Sequence, residues 1–600
     1  MNFAKKHLCQ FRMVVVLTLV LWSALSTTDY VFADGPFSES VAQALTDGII
    51  NESQAESLQV MIADTPSDRH RFFVPGTESQ LNSSMALRRK LPELFAEQAE
   101  QEYRRALEFA QAGDWQSAYT SLFRVVGFDP KHAKANRILE NPSSRMKLRK
   151  LNAKFDRPLE SLGWTASSYA QIQTPHFVIS SQAPAKIAHE VANICEQSFC
   201  LWQQLFFNYW GSAENLAGRI AGQDVPLGNV PKFQIVLFKN RDDYLRALKS
   251  AETNIEVSTG YYHPTMHCSF FYWGDPRSST TLRHELVHQF FQEFARNKVA
   301  LDADTQSDIW MVEGIAMYLE SASSLGGVGC EVVEVGGWDA PRVQAARYRR
   351  LHDQFWIPWS ELRQEVGQHL RSRSDIKFFY SQAAGLTHFW MDTSSAKREA
   401  LASYIDSVYA GTPDEKLLPE VVDDDTLRAE YERFLTVTPD QIRSRRANVA
   451  RREIVLSRMD LTTSDFDDWS TTARDLDWLD LSFTKIDNQL FADASKPWNV
   501  RRLNVENTKI TDEAIGAISK MPAIVELDLS MCKISNEGLK QIAGHPRLAT
   551  LWLTGTQVDD DILPTLQSLK ALDYVNLDDT MVTKDGWKKI QAAIPKLRKN

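Results

Sequence analysis

Cysteine is scarce, with six in 600 residues. Cys9 lies near the start. Cys195, Cys200, Cys268, Cys330 and Cys532 are odd in number, scattered and without CxxC spacing. That excludes a disulfide-built scaffold and assigns no cysteine to a metal. Basic runs are missing too. No long Lys/Arg block interrupts a chain whose formal charge is −10, so nucleic acid is excluded as a partner class. Past the first 33 residues no run is long and apolar enough to span a bilayer.

The N-terminus has what the rest lacks. Lys5, Lys6 and Arg12 precede MVVVLTLVLWSAL, an uncharged run from Met13 to Leu25. Val31-Phe32-Ala33 offers small residues for cleavage. The pattern predicts a signal peptide over 1–33 and a secreted or periplasmic (cell envelope) mature chain. An uncleaved N-terminal anchor is the alternative, and only then is the membrane a partner.

A chain of this length, 43% hydrophobic and 24% charged, is globular and too long for one core. A multidomain chain is therefore expected, with a helical N-terminal region, an α/β (α+β) domain and C-terminal α/β repeats. Residues 34–95 read as mostly helical. Within 96–140, Ala106, Phe109, Gly113, Ala118, Leu122, Val125 and Pro130 fall where a tetratricopeptide helix pair wants small and apolar residues. A single such unit cannot bury its own face, so a plain helical hairpin packed on the next domain is an equal reading. Residues 168–425 turn to mixed α and β. HFVISS (176–181) and FQIVLF (233–238) are strand-like, with an amphipathic helix between. TGYYHPTMHCSFFYW (259–273) reads as two strands about a Pro264 turn. The charged segment 426–470 is expected to be a helical connector.

Residues 471–600 repeat. Leu479-Asp-Leu481, Leu503-Asn-Val505, Leu527-Asp-Leu529, Leu551-Trp-Leu553 and Val575-Asn-Leu577 start 24 residues apart. Ile486, Ile510, Ile534, Val558 and Val582 keep step, as do Thr484, Thr508, Cys532, Thr556 and Thr580. The segment closely resembles leucine-rich repeats, five units of L-x-x-L-x-L-x-x-N/C-x-L with Thr mostly in place of Asn. The leading position varies mildly: Leu476, Val500, Ile524, Leu548 and Leu572. The resemblance implies one strand and one helix per unit, stacked as a solenoid whose strand face binds protein. It is expected to be separable from the chemistry of the chain.

That chemistry begins at His284-Glu285-Leu286-Val287-His288. On a helix, residues i and i+4 share a face, so both imidazoles converge on one point while Glu285 stands to the side. Ser278, Ser279 and Thr280 offer N-caps after Asp275-Pro276, and Leu282, Leu286, Phe290 and Phe294 form an apolar stripe. Catalytic zinc needs three protein ligands and an open position. IWMVEGIAMYLES (309–321) supplies Glu313 on a second amphipathic helix, 25 residues after His288. Trp310, Met317 and Glu320 share its face, and Gly314 permits close approach of a neighbour.

HELVH followed by Trp310-x-x-Glu313-Gly314-x-Ala316 resembles the gluzincin, peptidase MA-like metallopeptidases. Residues 168–425 are more narrowly similar to an uncharacterised bacterial gluzincin-like family, which shares T-x-H-F-x-I (Thr174 to Ile179 here). The ligand gap is longer than in thermolysin-like members, the excess being polar NKVALDADTQSD (297–308). The resemblance implies a zincin-like domain in which His284, His288 and Glu313 ligate Zn2+ and Glu285 is the general base. It implies that strand CSFFYW pairs with the substrate backbone at an edge, an ordinary interior strand being the alternative. It also implies an oxyanion donor in FFYSQAAGLTHFW (378–390), Tyr380 or His388. Tyr380 is preferred because it heads a Y-x-x-A-x-x-L pattern; a core tyrosine is the plainer reading. His263 and His267 straddle a turn and read as solvent or edge residues.

The expected function is an exported zinc metallopeptidase acting on a peptide or protein substrate, its repeats binding a protein partner. The alternative is a secreted or surface interaction protein whose zinc domain is structural or inactive. A zinc hydrolase of non-peptide amides is a third reading.

Overall fold

The computed structural model describes residues 36–598 except 64, 77, 140–161, 166, 250–254, 275–277, 296–306, 371, 420 and 446–449. The expected signal peptide and most of the polar 297–308 segment lie outside the described residues. The chain divides into two compact units, Met1–Asp64 and Thr65–Asn600. Among the described residues no helix is long and apolar enough to cross a membrane.

The first unit holds helices α1 (Pro36–Thr46) and α2 (Glu52–Ile62). Asn51 caps α2 in a reciprocal box with Gln54, satisfying backbone donors that a helix start leaves open.

The second unit opens on strand β1 (Arg69–Pro75). The stretch 34–95 is mostly helical, with Glu78–Lys90 a further helix, and β1 is the one strand described within it: Phe72, Phe73 and Val74 are buried, and β1 pairs antiparallel with Cys330–Gly336. Helices α3 (Pro92–Gln111) and α4 (Trp115–Phe128) follow as a hairpin. The turn uses Gly113 at φ 80°, and Asp114 caps α4 by accepting from Ser117 N at 3.0 Å. At Gly127 α4 lies so close to β1 that a Cβ would fall 2.1 Å from the Phe73 ring. The hairpin is therefore packed on the next layer.

A five-stranded sheet follows: β2 (Ala170–Gln173), β3 (Phe177–Ser181), β4 (Phe233–Phe238), β5 (Gly260–His263) and β6 (Cys268–Tyr272). Its order is β2-β3-β4-β6-β5, with β3, β4 and β6 parallel and both edges antiparallel. Helix α5 (Ala185–Leu205) crosses from β3 to β4. The order corrects one expectation: CSFFYW is interior, flanked by β4 and β5, and the edge strand is β5.

Helix α6 (Ser278–Phe294) carries HELVH, and α7 (Ile309–Glu320) carries Glu313. Strands β7 (Ser323–Ser324) and β8 (Cys330–Gly336) complete a small sheet with β1. Helices α8 (Pro341–Arg347), α9 (Ile376–Thr393), α10 (Ser395–Tyr409), α11 (Asp424–Leu435) and α12 (Pro439–Arg443) follow.

The supposed helical connector ends at Arg443. Beyond it Glu453–Val455 forms β9, and β10 (Asp475–Asp480), β11 (Asn499–Asn504), β12 (Glu526–Asp528), β13 (Thr550–Trp552) and β14 (Tyr574–Asn576) add to it in sequence as one parallel sheet. Ile454, Leu479, Leu503, Leu527, Leu551 and Val575 stand in register. All six are buried, which is what the repeating leucine positions are for.

This sheet does not stand alone. Trp338, Val437 and Ile442 share one buried cluster with Trp469, Leu479 and Leu503. Arg451, fully buried, donates to Gly336 O at 2.8 Å and pairs with Asp339 at 2.5 Å. Gln344 Oε1 accepts from Val455 N at 2.8 Å, and Arg347 donates to Val455 O at 3.0 Å. The chain is thus multidomain in composition, with helical and α/β regions and a C-terminal parallel sheet fused to what precedes it.

Candidate metal centre

Helix α6 is oriented by its apolar stripe. Leu282, Leu286 and Phe290 are fully buried, and Phe290 meets Phe199 and Trp202 of α5 at 5.2 and 5.5 Å between ring centroids. The remaining face turns His284 and His288 to α7, with their ring centroids 4.9 Å apart. Helix α7 is held from behind: a Cβ on Gly314 would lie 2.1 Å from Thr387 Oγ1 and 3.0 Å from Ala383 O of α9. The close approach expected of Gly314 is to α9, and it presents the adjacent Glu313 to the two imidazoles.

Glu313 Oε2 lies 3.5 Å from His284 Nε2, and Oε1 lies 3.9 Å from His288 Nε2. One donor atom from each of the three residues falls within 4.8 Å of the others. All three side chains are 15–20% exposed, so solvent reaches the cluster. Glu320, two turns after Glu313, accepts at Oε1 from His284 Nδ1 across 2.8 Å, and its Oε2 takes Arg342 Nε at 2.7 Å. A proton on Nδ1 leaves the Nε2 lone pair free for a metal. Glu285 accepts the backbone N–H of Tyr262 at 3.0 Å, which ties the carboxylate to edge strand β5. His288 Nδ1 is buried with no hydrogen-bond partner among the described residues.

Charge follows the geometry. Burial drags His284 down, but its bonds to Glu313 and Glu320 reverse this and raise it well above the ordinary imidazole value. Burial lowers His288 to about 4, keeping it neutral. Burial raises Glu285 above the usual carboxylate range, giving it an appetite for a proton. Burial works to raise Glu313 and Glu320 too. The bond from His284 keeps Glu313 below its usual value, and His284 with Arg342 holds Glu320 at about 2. Two imidazoles, an ionised carboxylate and an oriented Nδ1 match the donor set that zinc takes.

The other expected residues fall as follows. Tyr380 is half-buried on α9, three residues before Ala383, whose carbonyl faces Gly314 of α7. His388 is fully buried, bonded through Nδ1 to Asp392 at 2.9 Å and packed on Tyr318 at 4.7 Å, so it belongs to the core. His263 accepts from Met266 N to cap the β5–β6 turn, and exposed His267 meets Glu293 at 2.9 Å. Neither joins the cluster. Sequence reasoning placed Glu320 on the face of Glu313 without giving it its role. It missed Arg342 and the Tyr262 N–H altogether.

Residues 278–414 match the family described as Protein of unknown function (DUF1570), a span that includes α6 through α10. Residues 522–543 match the Leucine Rich repeat family, and such repeats give the chain a protein-binding capacity. No curated protein matches the chain.

Proposed function

We propose that the chain is an exported zinc-dependent peptidase of gluzincin type. The observation that carries this reading is the convergence of His284, His288 and Glu313 to within 4.8 Å, with Glu285 held alongside by Tyr262. Zinc held by these three residues would act as a Lewis acid on water and on the substrate carbonyl. Glu285, buried and proton-hungry, takes a proton from the attacking water and passes it to the leaving amine. Tyr380 is the candidate donor to the developing oxyanion. Strand β5 is short, antiparallel and at the sheet edge beside Glu285, so an extended peptide can add there. The repeat sheet would hold a protein partner or a distal part of the substrate.

Zinc content of the purified chain tests this reading, measured beside His284→Ala and Glu313→Ala. The expected result is about one zinc per chain, lost in both variants. Glu285→Gln should keep its zinc and lose hydrolysis of a peptide library. Unchanged turnover in that variant would sink the assigned mechanism. A wild type that takes no zinc would leave a repeat-bearing binding protein.

A further inference from the structure

Along a strand, successive side chains face opposite sides of the sheet. Ile454, Leu479, Leu503, Leu527, Leu551 and Val575 point into the repeat core, so their neighbours in sequence lie on the other face. The preceding residues form one row in register: Glu453, Trp478, Arg502, Glu526, Thr550 and Tyr574. The following residues form a second row, which runs from Asp480 through Asn504 and Asp528 to Trp552.

The chain itself occupies the start of this face. Tyr348–His352 continue α8 as a π-helical turn. Tyr348 meets Trp478 at 5.2 Å between ring centroids. His352 stacks on Tyr348 at 4.4 Å, and its Nε2 lies 3.2 Å from Glu506 Oε2. Burial lowers His352, but its bonds to Asp353 and Glu506 outweigh this and raise it to about 9, so it docks as a cation. The first row holds a cation of its own. Arg502 donates to Glu453 at 3.0 Å and lays its guanidinium over the Trp478 ring, 4.9 Å from the centroid. Acid, aromatic ring and cation stand together there.

Beyond β11 the acids and rings recur without the cation. Trp552 Nε1 donates to Glu526 Oε1 at 3.3 Å, and Tyr574 lies against Trp552 at 4.8 Å. Asp528 is the register neighbour of Trp552. All four are partly exposed. Among the described residues Glu526 and Asp528 take bonds from Trp552 Nε1 and Ser530 N, and from no basic side chain.

We propose that the strand face of β12–β14 docks an extended, arginine-bearing segment of a protein partner. Its guanidinium would lie over Trp552 as that of Arg502 lies over Trp478, paired with Glu526 and Asp528. The inference deepens the protein-binding reading of the repeats and rests on it, not on the metal. Two observations name the occupant: the acids on this face lack a counter-charge, and the adjoining part of the same face already holds two cations. A planar guanidinium suits the place because it stacks on a ring and pairs with a carboxylate at once.

The test is fluorescence anisotropy of the full chain with a labelled Gly/Ser peptide carrying spaced arginines, beside versions with glutamine or glutamate in their place. It is run at pH 8, above the value of about 6 to which burial lifts Asp528, both with zinc and with a chelator. Asp528→Asn removes the charge and keeps an acceptor for Ser530 N, so a loss of binding there does not come from unfolding. Trp552→Leu removes the ring. Asp585→Asn, on the terminal helix Lys584–Ala593, removes an exposed charge elsewhere. The expected result is binding of the arginine peptide alone, weakened about threefold to tenfold by Asp528→Asn and by Trp552→Leu. Asp585→Asn should leave it unchanged, and zinc should make no difference. Equal binding of the glutamine peptide would assign the face to an uncharged partner and overturn the proposal. So would an arginine peptide that does not bind, or one weakened equally by Asp528→Asn and Asp585→Asn. Binding that the chelator abolishes would place the peptide at the metal centre, which also overturns it. A chain that takes no zinc yet binds the arginine peptide fails the metal reading alone.

Discussion

Glu320 Oε1 sits 2.8 Å from His284 Nδ1 while its Oε2 is gripped by Arg342 at 2.7 Å. The carboxylate thus holds one imidazole in a fixed tautomer and is itself fixed by a guanidinium from α8, beyond the next two strands. Glu320→Gln keeps the shape and drops the charge. Zinc affinity is expected to fall about tenfold to a hundredfold, read by chelator competition. Affinity within twofold of wild type would show that Glu320 serves only to pair Arg342.

The repeat sheet shares one buried cluster with the chain before it, including Trp338, Val437 and Ile442. Arg451, just before β9, has its guanidinium in the interior against Asp339 and Gly336 O, and Arg69 stands 3.3 Å from the same carboxylate. These guanidiniums hold Asp339 well below the usual carboxylate range against its burial. Arg451→Met would leave Asp339 with Arg69 as its close partner. Such broken buried pairs cost about 3–5 kcal/mol, and the remaining guanidinium puts this one at the lower end. Urea unfolding at pH 7 would read the loss. Deleting 471–600 uncovers Trp469 and Ile454, so the truncated chain is expected to lose cooperative unfolding along with any activity. A truncated chain that unfolds cooperatively and cleaves small peptides would restore the separable picture.

Local pattern accounts for what was legible. The i, i+4 histidines, the apolar stripe behind them and the Glu313 helix all follow from a 3.6-residue period. The repeat sheet follows from the 24-residue one. What escaped is long-range. The sequence shows that Phe72 and Phe73 want burial but not that they pair with Val333 and Val332. Nor does strand order show in a strand: Cys268–Tyr272 is apolar enough for an interior place, yet only the pairing of Gly260–His263 beyond it settles which is the edge. Strand β9 was hidden by register, since Ile454 precedes its partner Leu479 by 25 residues and breaks the count of 24. Arg342 was invisible because nothing local marks an arginine as the partner of Glu320.

Asp528 is an acid the repeats hold at a disadvantage. Burial, with the charges of Glu506 and Asp480, raises it to about 6 against the bond from Ser530. A folded pKa above the unfolded value near 3.9 means the unfolded chain ionises more readily. Stability is therefore lowered at pH above 6, and it recovers as pH falls from about 6 toward about 4. Asp528→Asn retains an oxygen for Ser530 N and carries no charge. It is expected to stabilise the protein by on the order of 1–2 kcal/mol at pH 8, with the difference vanishing below about pH 4. Unfolding midpoints at both pH values check this; an equal gain at both would assign the effect to packing.

Each repeat carries a left-handed residue at the same place: Phe483, Asn507, Met531, Gly555 and Asp579, with φ between 50° and 67°. The conformation aims the backbone N–H along the sheet. Asn507 N meets Ser530 O at 2.9 Å, Met531 N meets Thr554 O at 2.7 Å, and Gly555 N meets Asp578 O at 2.9 Å. Only Gly takes this shape without Cβ crowding, which costs other residues about 1–2 kcal/mol; Asn offsets part of it through local side-chain hydrogen bonds. Met531, 56% exposed, has little packing to offset that, so Met531→Asn should raise stability by about 0.5–1 kcal/mol. Gly555→Ala meets a second obstacle, because its Cβ would fall 2.4 Å from Met531 Sδ. The Ala substitution should therefore cost less in the Met531→Asn background than alone, by about 0.5 kcal/mol or more. Strict additivity in that double-mutant cycle would mean the φ strain alone sets the cost, and that the thioether simply swings clear.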